Sequence, residues 1–355
     1  MRKNALLAAC TLAAMFVLAP LAQAQSALLD LPRASQRAQI SQRIGVTNIT
    51  IRYHRPLVKG RKMIGGIEPY GKVWRAGANE NTTIEFGDAV TVEGKPLAKG
   101  NYGLHMIPGE NEWTVIFSKN ASSWGSFSYD QTEDALRVTV KPKAAELHDA
   151  LTYEFDDLQP ASTTVTMLWE KVAVPFKVEV NVNEAALASL HNQLRGRAQY
   201  EWQSWDEAAA YLLDNKLSAE EAVKDADRSI QLEERFENVM TKSRGLAELG
   251  KKDEAVAARN KALGMGNAQQ IHGYARQLQG QGKQEEAFEV FRANIKRFPD
   301  HWVAHNEAAR LACAKGDFDG AAKEMRVAVT IAPDQIKPPL EALAKRLDSK
   351  QDINK

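Results

Sequence analysis

The apolar residues of this chain change period once, near residue 183, and that change constrains its architecture more than any other feature. Before it they alternate. Ile49, Ile51 and Tyr53 fall on one side of a segment whose other side carries Thr50, Arg52 and His54. The same period of two runs through Tyr102–Leu104–Met106, Trp113–Val115–Phe117, Leu136–Val138–Val140, Leu151–Tyr153–Phe155 and Phe176–Val178–Val180. Side chains that alternate about the backbone, rich in β-branched and aromatic types, belong to half-buried strands. Turn-forming runs separate them: Gly87-Asp88, Glu93-Gly94-Lys95 and Pro108-Gly109-Glu110-Asn111. Eight to ten antiparallel strands are expected, which imply a sandwich or a barrel, and the sandwich is the architecture expected here.

After Asn183 the apolar positions fall three and four apart, as in Ile271, Tyr274, Ala275 and Leu278, or Phe288, Phe291, Ile295 and Phe298. That is helical spacing. The helical half also repeats. Glu221-Ala222, Glu254-Ala255, Glu286-Ala287 and Gly320-Ala321 follow one another at 33, 32 and 34 residues. Gly250, Gly282 and Gly316 stand five residues before the alanine, and Pro299 and Pro333 twelve after it. A glycine for the inter-helix turn, a small residue for close helix approach and a proline to end the second helix make one unit. This unit is similar to the tetratricopeptide repeat. Phe291 and Met325 fill the large apolar position four after the alanine, where the first two units carry Ala226 and Arg259. The first unit also lacks the turn glycine. Leu340, Leu343 and Leu347 predict an amphipathic capping helix.

The start of the chain reads as an address. Arg2 and Lys3 precede an uncharged run ending in Ala22-Gln23-Ala24, the pattern of a secretory signal cleaved after residue 24. The expected organisation is a signal over 1–24, a β-sandwich over 25–182 and a helical repeat domain over 183–355. Periplasmic or secreted location follows, with no transmembrane segment after cleavage. With 46 Lys and Arg against 45 Asp and Glu, the chain lacks the basic excess of a nucleic-acid binder, so no nucleic-acid partner is expected. Two cysteines, Cys10 and Cys313, exclude a disulfide framework. After cleavage Cys313 remains alone, a small packing residue among Ala308, Ala309, Leu311 and Ala312.

One loop stands out. Pro56 to Asn81 lacks strong periodicity and holds Gly60, Gly65, Gly66, Gly71 and Gly77. Long loops in compact domains are often functional. Between Arg52 and Arg75 lie Arg52, Arg55, Lys59, Arg61, Lys62, Lys72 and Arg75, and the only acid there is Glu68. Guanidinium forks and glycine amides suit carboxylate or phosphate oxygens. Two readings stay open: a receptor for an anionic or glycan ligand, and a solvated or internally paired basic loop.

Lys59-Gly60-Arg61, Pro69-Tyr70-Gly71 and Val73-Trp74-Arg75-Ala76-Gly77-Ala78-Asn79-Glu80 resemble the signature of a bacterial envelope family, domain of unknown function 2911. Tyr53-His54-Arg55-Pro56, Ile107-Pro108-Gly109-Glu110 with Trp113, Trp124-Gly125 and Ala135-Leu136-Arg137-Val138 extend the likeness over roughly 33–182. The resemblance implies export and, in some members, helical repeats after the domain. It supplies no catalytic residues.

The ligand-binding candidates are Arg55, Lys59, Arg61, Arg75, Asn79 and Glu80. His54, Glu80 and His105 are the catalytic candidates, because a histidine beside a carboxylate can move protons while an arginine holds an oxyanion. The alternative is that Arg75 and Glu80 brace the loop and the histidines are solvated. His301 and His305 have zinc-ligand spacing on a helix but no third ligand, so no metal is expected. Asp300 after Pro299 predicts the N-cap of that helix. No cofactor fingerprint and no nucleophile elbow occurs around Ser122, Ser123 and Ser126. Trp74, Trp113 and Trp124 are open to core packing or to stacking on sugars. Two functions remain: an envelope binding or assembly protein with an anion at the basic loop and a protein partner on the repeats, and a periplasmic hydrolase of an envelope carbohydrate or ester.

Overall fold

The computed structural model describes residues 32–354. The expected signal, with Cys10, lies outside the described residues. The chain forms two compact units, one running to Gln42 and over Asn48–Glu179, the other made of Arg43–Thr47 and Val180 onward.

The first unit contains two sheets. One has six strands: β1 (Gln36–Ile44), β2 (Thr47–Arg55), β3 (Thr83–Phe86), β6 (Gly100–Ile107), β7 (Trp113–Ser118) and β8 (Asp134–Val140), in that spatial order. The other has four, in the order β5 (Lys95–Leu97), β4 (Val90–Val92), β10 (Ser162–Val180) and β9 (Lys143–Gln159). The pairings are antiparallel, with Ile51 opposite Ile84, Leu104 opposite Phe117, Val115 opposite Val138 and Tyr153 opposite Met167. This register puts the alternating residues on one side of each sheet. Ile49, Ile51, Ile84, Leu104, Met106 and Phe117 are fully buried, as are Leu151, Met167, Val174 and Phe176 from the other sheet. Rings of the two sheets meet: Tyr53 on Tyr153 at 4.8 Å and Phe117 on Phe176 at 5.8 Å, both edge-on. Such aromatic pairs contribute beyond the area they bury.

The long loop is held at several points. Trp74 exchanges two backbone hydrogen bonds of 2.8 Å with Met106, and its indole stacks on Trp169 at 5.3 Å. Trp74 and Trp113 are buried core residues. A register shift in β10 at Glu170, whose φ is +58°, turns this side chain toward the loop. Its carboxylate accepts from the amides of Met63 and Ile64 at 3.3 and 3.0 Å. The bulge thus converts one strand residue into an anchor.

The second unit is helical. Asn181 caps α1 (Val182–Gln193) by accepting from the Glu184 amide. Four antiparallel pairs follow: α2 (Trp202–Asp214) with α3 (Ala219–Leu232), α4 (Phe236–Glu248) with α5 (Lys252–Met265), α6 (Ala268–Gly280) with α7 (Gln284–Arg297), and α8 (Trp302–Ala314) with α9 (Phe318–Ile331). α10 (Lys337–Asp348) closes the series, with Leu340 and Leu347 buried. Ala222, Ala255, Ala287 and Ala321, the repeat alanines, lie buried in the second helix of each pair. Gly250, Gly282 and Gly316 make the turns at φ of +75°, +78° and +80°. The first pair turns without glycine, because Lys216 takes the left-handed conformation at φ +53°. The first helices also pack on one another, α2 on α4 and α6 on α8. One expectation is corrected: His301, not Asp300, caps α8, its Nδ1 accepting from the Val303 amide at 3.2 Å. The imidazole lies one residue closer to the first turn and reaches the free amide.

Candidate functional site

The site forms on the outer side of the six-stranded sheet. Arg52 pairs with Thr83, and Thr83 with Gly103. Carried two residues on, this register sets residue 81 between His54 and His105. A Cβ on Gly103 would meet Asn81 Nδ2 at 2.6 Å and His105 Nε2 at 3.3 Å, so these two side chains close over the glycine. Neither histidine is solvated. His54 is 8% exposed and His105 1%.

A surface segment covers His105. Ser126 Oγ lies 2.9 Å from His105 Nδ1, and the Tyr129 ring packs on the imidazole at 5.5 Å. Asn81 Nδ2 donates to the Asn120 carbonyl and to Ser123 Oγ, both at 3.3 Å. Burial lowers the His105 pKa to about 4, so the ring is neutral.

His54 sits at the open end of the row. Its Nε2 lies 3.1 Å from Glu80 Oε2, which Arg33 also approaches, at 3.4 Å to its other oxygen. The His54–Glu80 approach is off the hydrogen-bond direction and leaves Oε2 buried without a hydrogen-bond partner. Burial lowers the His54 pKa. Glu80 opposes that shift, and the charges of Arg37, Arg33 and Arg75 add to it. Arg33 also lies over the Trp124 ring at 5.3 Å, and Trp124 is 45% exposed. Gly125, at φ +65°, gives Arg75 its place: a Cβ there would stand 2.4 Å from a guanidinium nitrogen. Arg75 Nε is buried without a hydrogen-bond partner.

Two cavities open here. One, of about 550 Å³, is bordered by Arg33, Arg37, Arg52, His54, Glu80 and Asn81. The other, of about 510 Å³, is bordered by Lys59, Arg61, Glu68, Arg75 and Trp169, and Ser35 borders both. Burial raises the Glu68 pKa to about 7 against the opposing charge of Arg75.

The candidates from sequence therefore separate. His54 and Glu80 come together, and Arg75 lies near enough for its charge to lower the His54 pKa. His105 shares their row but is sealed beneath the covering segment. Arg55 is committed to the Leu151 carbonyl at 2.9 Å and Thr152 Oγ1 at 2.7 Å. Arg61 curls onto the carbonyls of Val58 and Leu57. Lys59 is exposed, and its amide donates to Asp149 at 2.9 Å. Asn79, at φ +58°, donates to the Ser35 carbonyl at 3.2 Å. Arg33 and Arg37 escaped the sequence reading, because only the pairing of β1 on β2 brings them to His54. Glu68 carried a signal: it is the one acid in the basic span.

In the helical unit His305 Nδ1 lies 2.8 Å from Glu324, apart from the cap role of His301. Among the described residues no group of three or more His, Cys, Asp or Glu is placed to hold a metal. None of their helices is long and apolar enough to cross a membrane. Cys313 is buried.

Residues 35–178 match the model of a family described as "Protein of unknown function (DUF2911)". No curated protein matches. Among solved structures, the helical half is similar to the Cut9–Hcn1 hetero-tetramer of the APC/C, at 18% identity over 46% of this chain and 33% of that chain, with a TM-score of 0.30. This chain thus spans about a third of that one. It is also similar to YrrB, titled a TPR protein with an unusual peptide-binding site, at 19% identity over 46% and 83%, TM-score 0.27. MamA gives 16% identity over 45% and 91%, TM-score 0.29.

Proposed function

We propose that this chain is an exported binding protein of the cell envelope, with a small anionic ligand in the first unit and a polypeptide partner on the helical repeats. We read the two sheets of the first unit as the layers of a sandwich whose outer side presents the anion site. The observation that carries the reading is the gathering of Arg33, Arg37 and His54 with the carboxylate of Glu80 at the border of one cavity, with Arg75 near enough for its charge to act on His54. Guanidinium groups held in a half-buried cleft favour carboxylate or phosphate. Trp124 beside Arg33 adds a face on which a sugar ring stacks. The ligand class is therefore an acidic or phosphorylated sugar, and the cleft beside His54, rather than the forks of Arg55 and Arg61, receives its charge. The partner on the repeats is an extended chain along the packed first helices.

Titration calorimetry with a hexuronate, a hexose phosphate and the neutral hexose tests the ligand. The charged sugars bind and the neutral one does not, and Arg37→Ala weakens binding at least tenfold. Equal affinity for all three sugars overturns the assignment. Intact mass of the exported chain tests the leader: loss of residues 1–24 is expected.

The hydrolase reading draws on the 3.1 Å approach of His54 to Glu80. A neutral imidazole there can take a proton while Arg75 holds an oxyanion. His54→Gln separates the two: it abolishes ester or glycoside turnover under the hydrolase reading and leaves sugar affinity within a few-fold under the binding reading.

A further inference from the structure

The segment after α10 folds back onto the array. Arg310 of α8, 5% exposed, donates to the Ile353 carbonyl at 2.5 Å. Asn354 Nδ2 returns a bond to the Arg310 carbonyl at 3.0 Å, and its Oδ1 accepts from Gln279 of α6 at 3.1 Å. Arg346 of α10 donates to the Asp352 carbonyl. Asp352 Oδ1 receives the Asn354 amide at 2.9 Å and lies 3.4 Å from Cys313 Sγ. Ile353 is 1% exposed and packs in the cluster of Cys313, Leu340, Ala344 and Leu347.

These contacts have the form of peptide recognition. Side chains of α8 and α10 grip main-chain carbonyls, Gln279 of α6 holds the Asn354 side chain, one aliphatic residue fills a pocket, and polar side chains fix the register. The charges match as well. Arg276 and Arg346 lie close enough to lower the Arg310 pKa, and burial, the larger cause, brings it to about 10. Asp352 brings a carboxylate to this cationic end of the array.

We propose that α6, α8 and α10 form a receptor for an extended polypeptide of the pattern acidic–aliphatic–Asn, and that residues 352–354 are its resident occupant. The site stays self-closed until a partner segment of the same pattern displaces them. The inference rests on the reading of the helical unit as a polypeptide receptor and adds how that receptor is regulated.

A labelled peptide spanning residues 348–355 is titrated by fluorescence anisotropy into the full chain and into a chain ending at Lys350. The shortened chain is first shown to keep its helical circular dichroism. It should bind at least tenfold more tightly than the full chain, and a peptide with aspartate in place of Ile353 should not bind it. No binding to the folded shortened chain, or equal binding to both chains, overturns the proposal. If shortening unfolds the array, Asp352→Cys in the full chain is crosslinked to Cys313 and verified by intact mass. The crosslinked form should lose the binding that the reduced form retains, and equal binding overturns the proposal. A panel of unrelated extended peptides separates the two levels. If some bind the array while this peptide does not, only the resident-occupant inference fails. If none binds, the receptor reading fails with it.

Discussion

At the scale of single residues, buried polar groups decide what the interior tolerates. Glu307 is fully buried, 3.1 Å from His272 and 2.9 Å from Asn294. Burial raises its pKa to about 8 and lowers that of His272 to about 3, so the pair is neutral at pH 7. A carboxyl whose folded pKa exceeds its unfolded value stabilises below the unfolded value and loses that contribution as pH rises through the folded one. Glu307→Gln should therefore leave the melting temperature nearly unchanged at about pH 4.5 and raise it relative to the parent by a growing amount from there to about pH 8, as thermal melts across that range will show. Tyr153 donates to the Ala76 carbonyl at 2.8 Å inside the core, at a residue held at φ +50°. Tyr153→Phe should cost about 1 kcal/mol in urea unfolding, since Thr82 still donates to that carbonyl.

At the scale of elements, the turns of the repeats make a matched comparison. Gly282 has φ +78°, and a Cβ there would meet nothing within 4 Å, so only the backbone conformation opposes a side chain. Gly282→Ala should destabilise by about 1 kcal/mol, and Lys216→Gly should stabilise by a similar amount, because L-residues resist the left-handed region. Chemical denaturation of the two variants tests both signs. The same turns show what was legible. Glycine, alanine and proline at fixed spacing revealed three of the helix pairs, since each residue type answers one local geometric need. The first pair was obscure because an exposed lysine adopts a conformation its type does not announce. Alternation likewise revealed the strands. The site was legible only in part. His54, Arg75 and Glu80 lie close in sequence, whereas Arg33 and Arg37 reach them through strand order. The commitment of Arg55 to the Leu151 carbonyl depends on a partner 96 positions away. Spacing carries no information about either.

At the scale of the whole molecule, near-zero net charge conceals local imbalances that chemistry can use. Within the first unit the buried His105 and the half-buried Glu68 titrate in opposite senses. His105, lowered to about 4, loses its contribution as pH falls from about 6.5. Glu68, raised to about 7, loses its own as pH rises from about 4.5. Their slopes oppose each other between about pH 4.5 and 6.5. Glu68→Gln should make the unit more acid-sensitive than the parent over that interval, and His105→Gln less so, by differential melts at pH 5 and 6.5. The placement of Trp124 has a further consequence. Its indole is the most water-accessible of the described tryptophans, and a cation already leans on it at the mouth of the cavity. The chain thus carries an optical gauge of its own: a guest that engaged Arg33 would shift the cation lying on this indole, and a change in emission would report its arrival without any label.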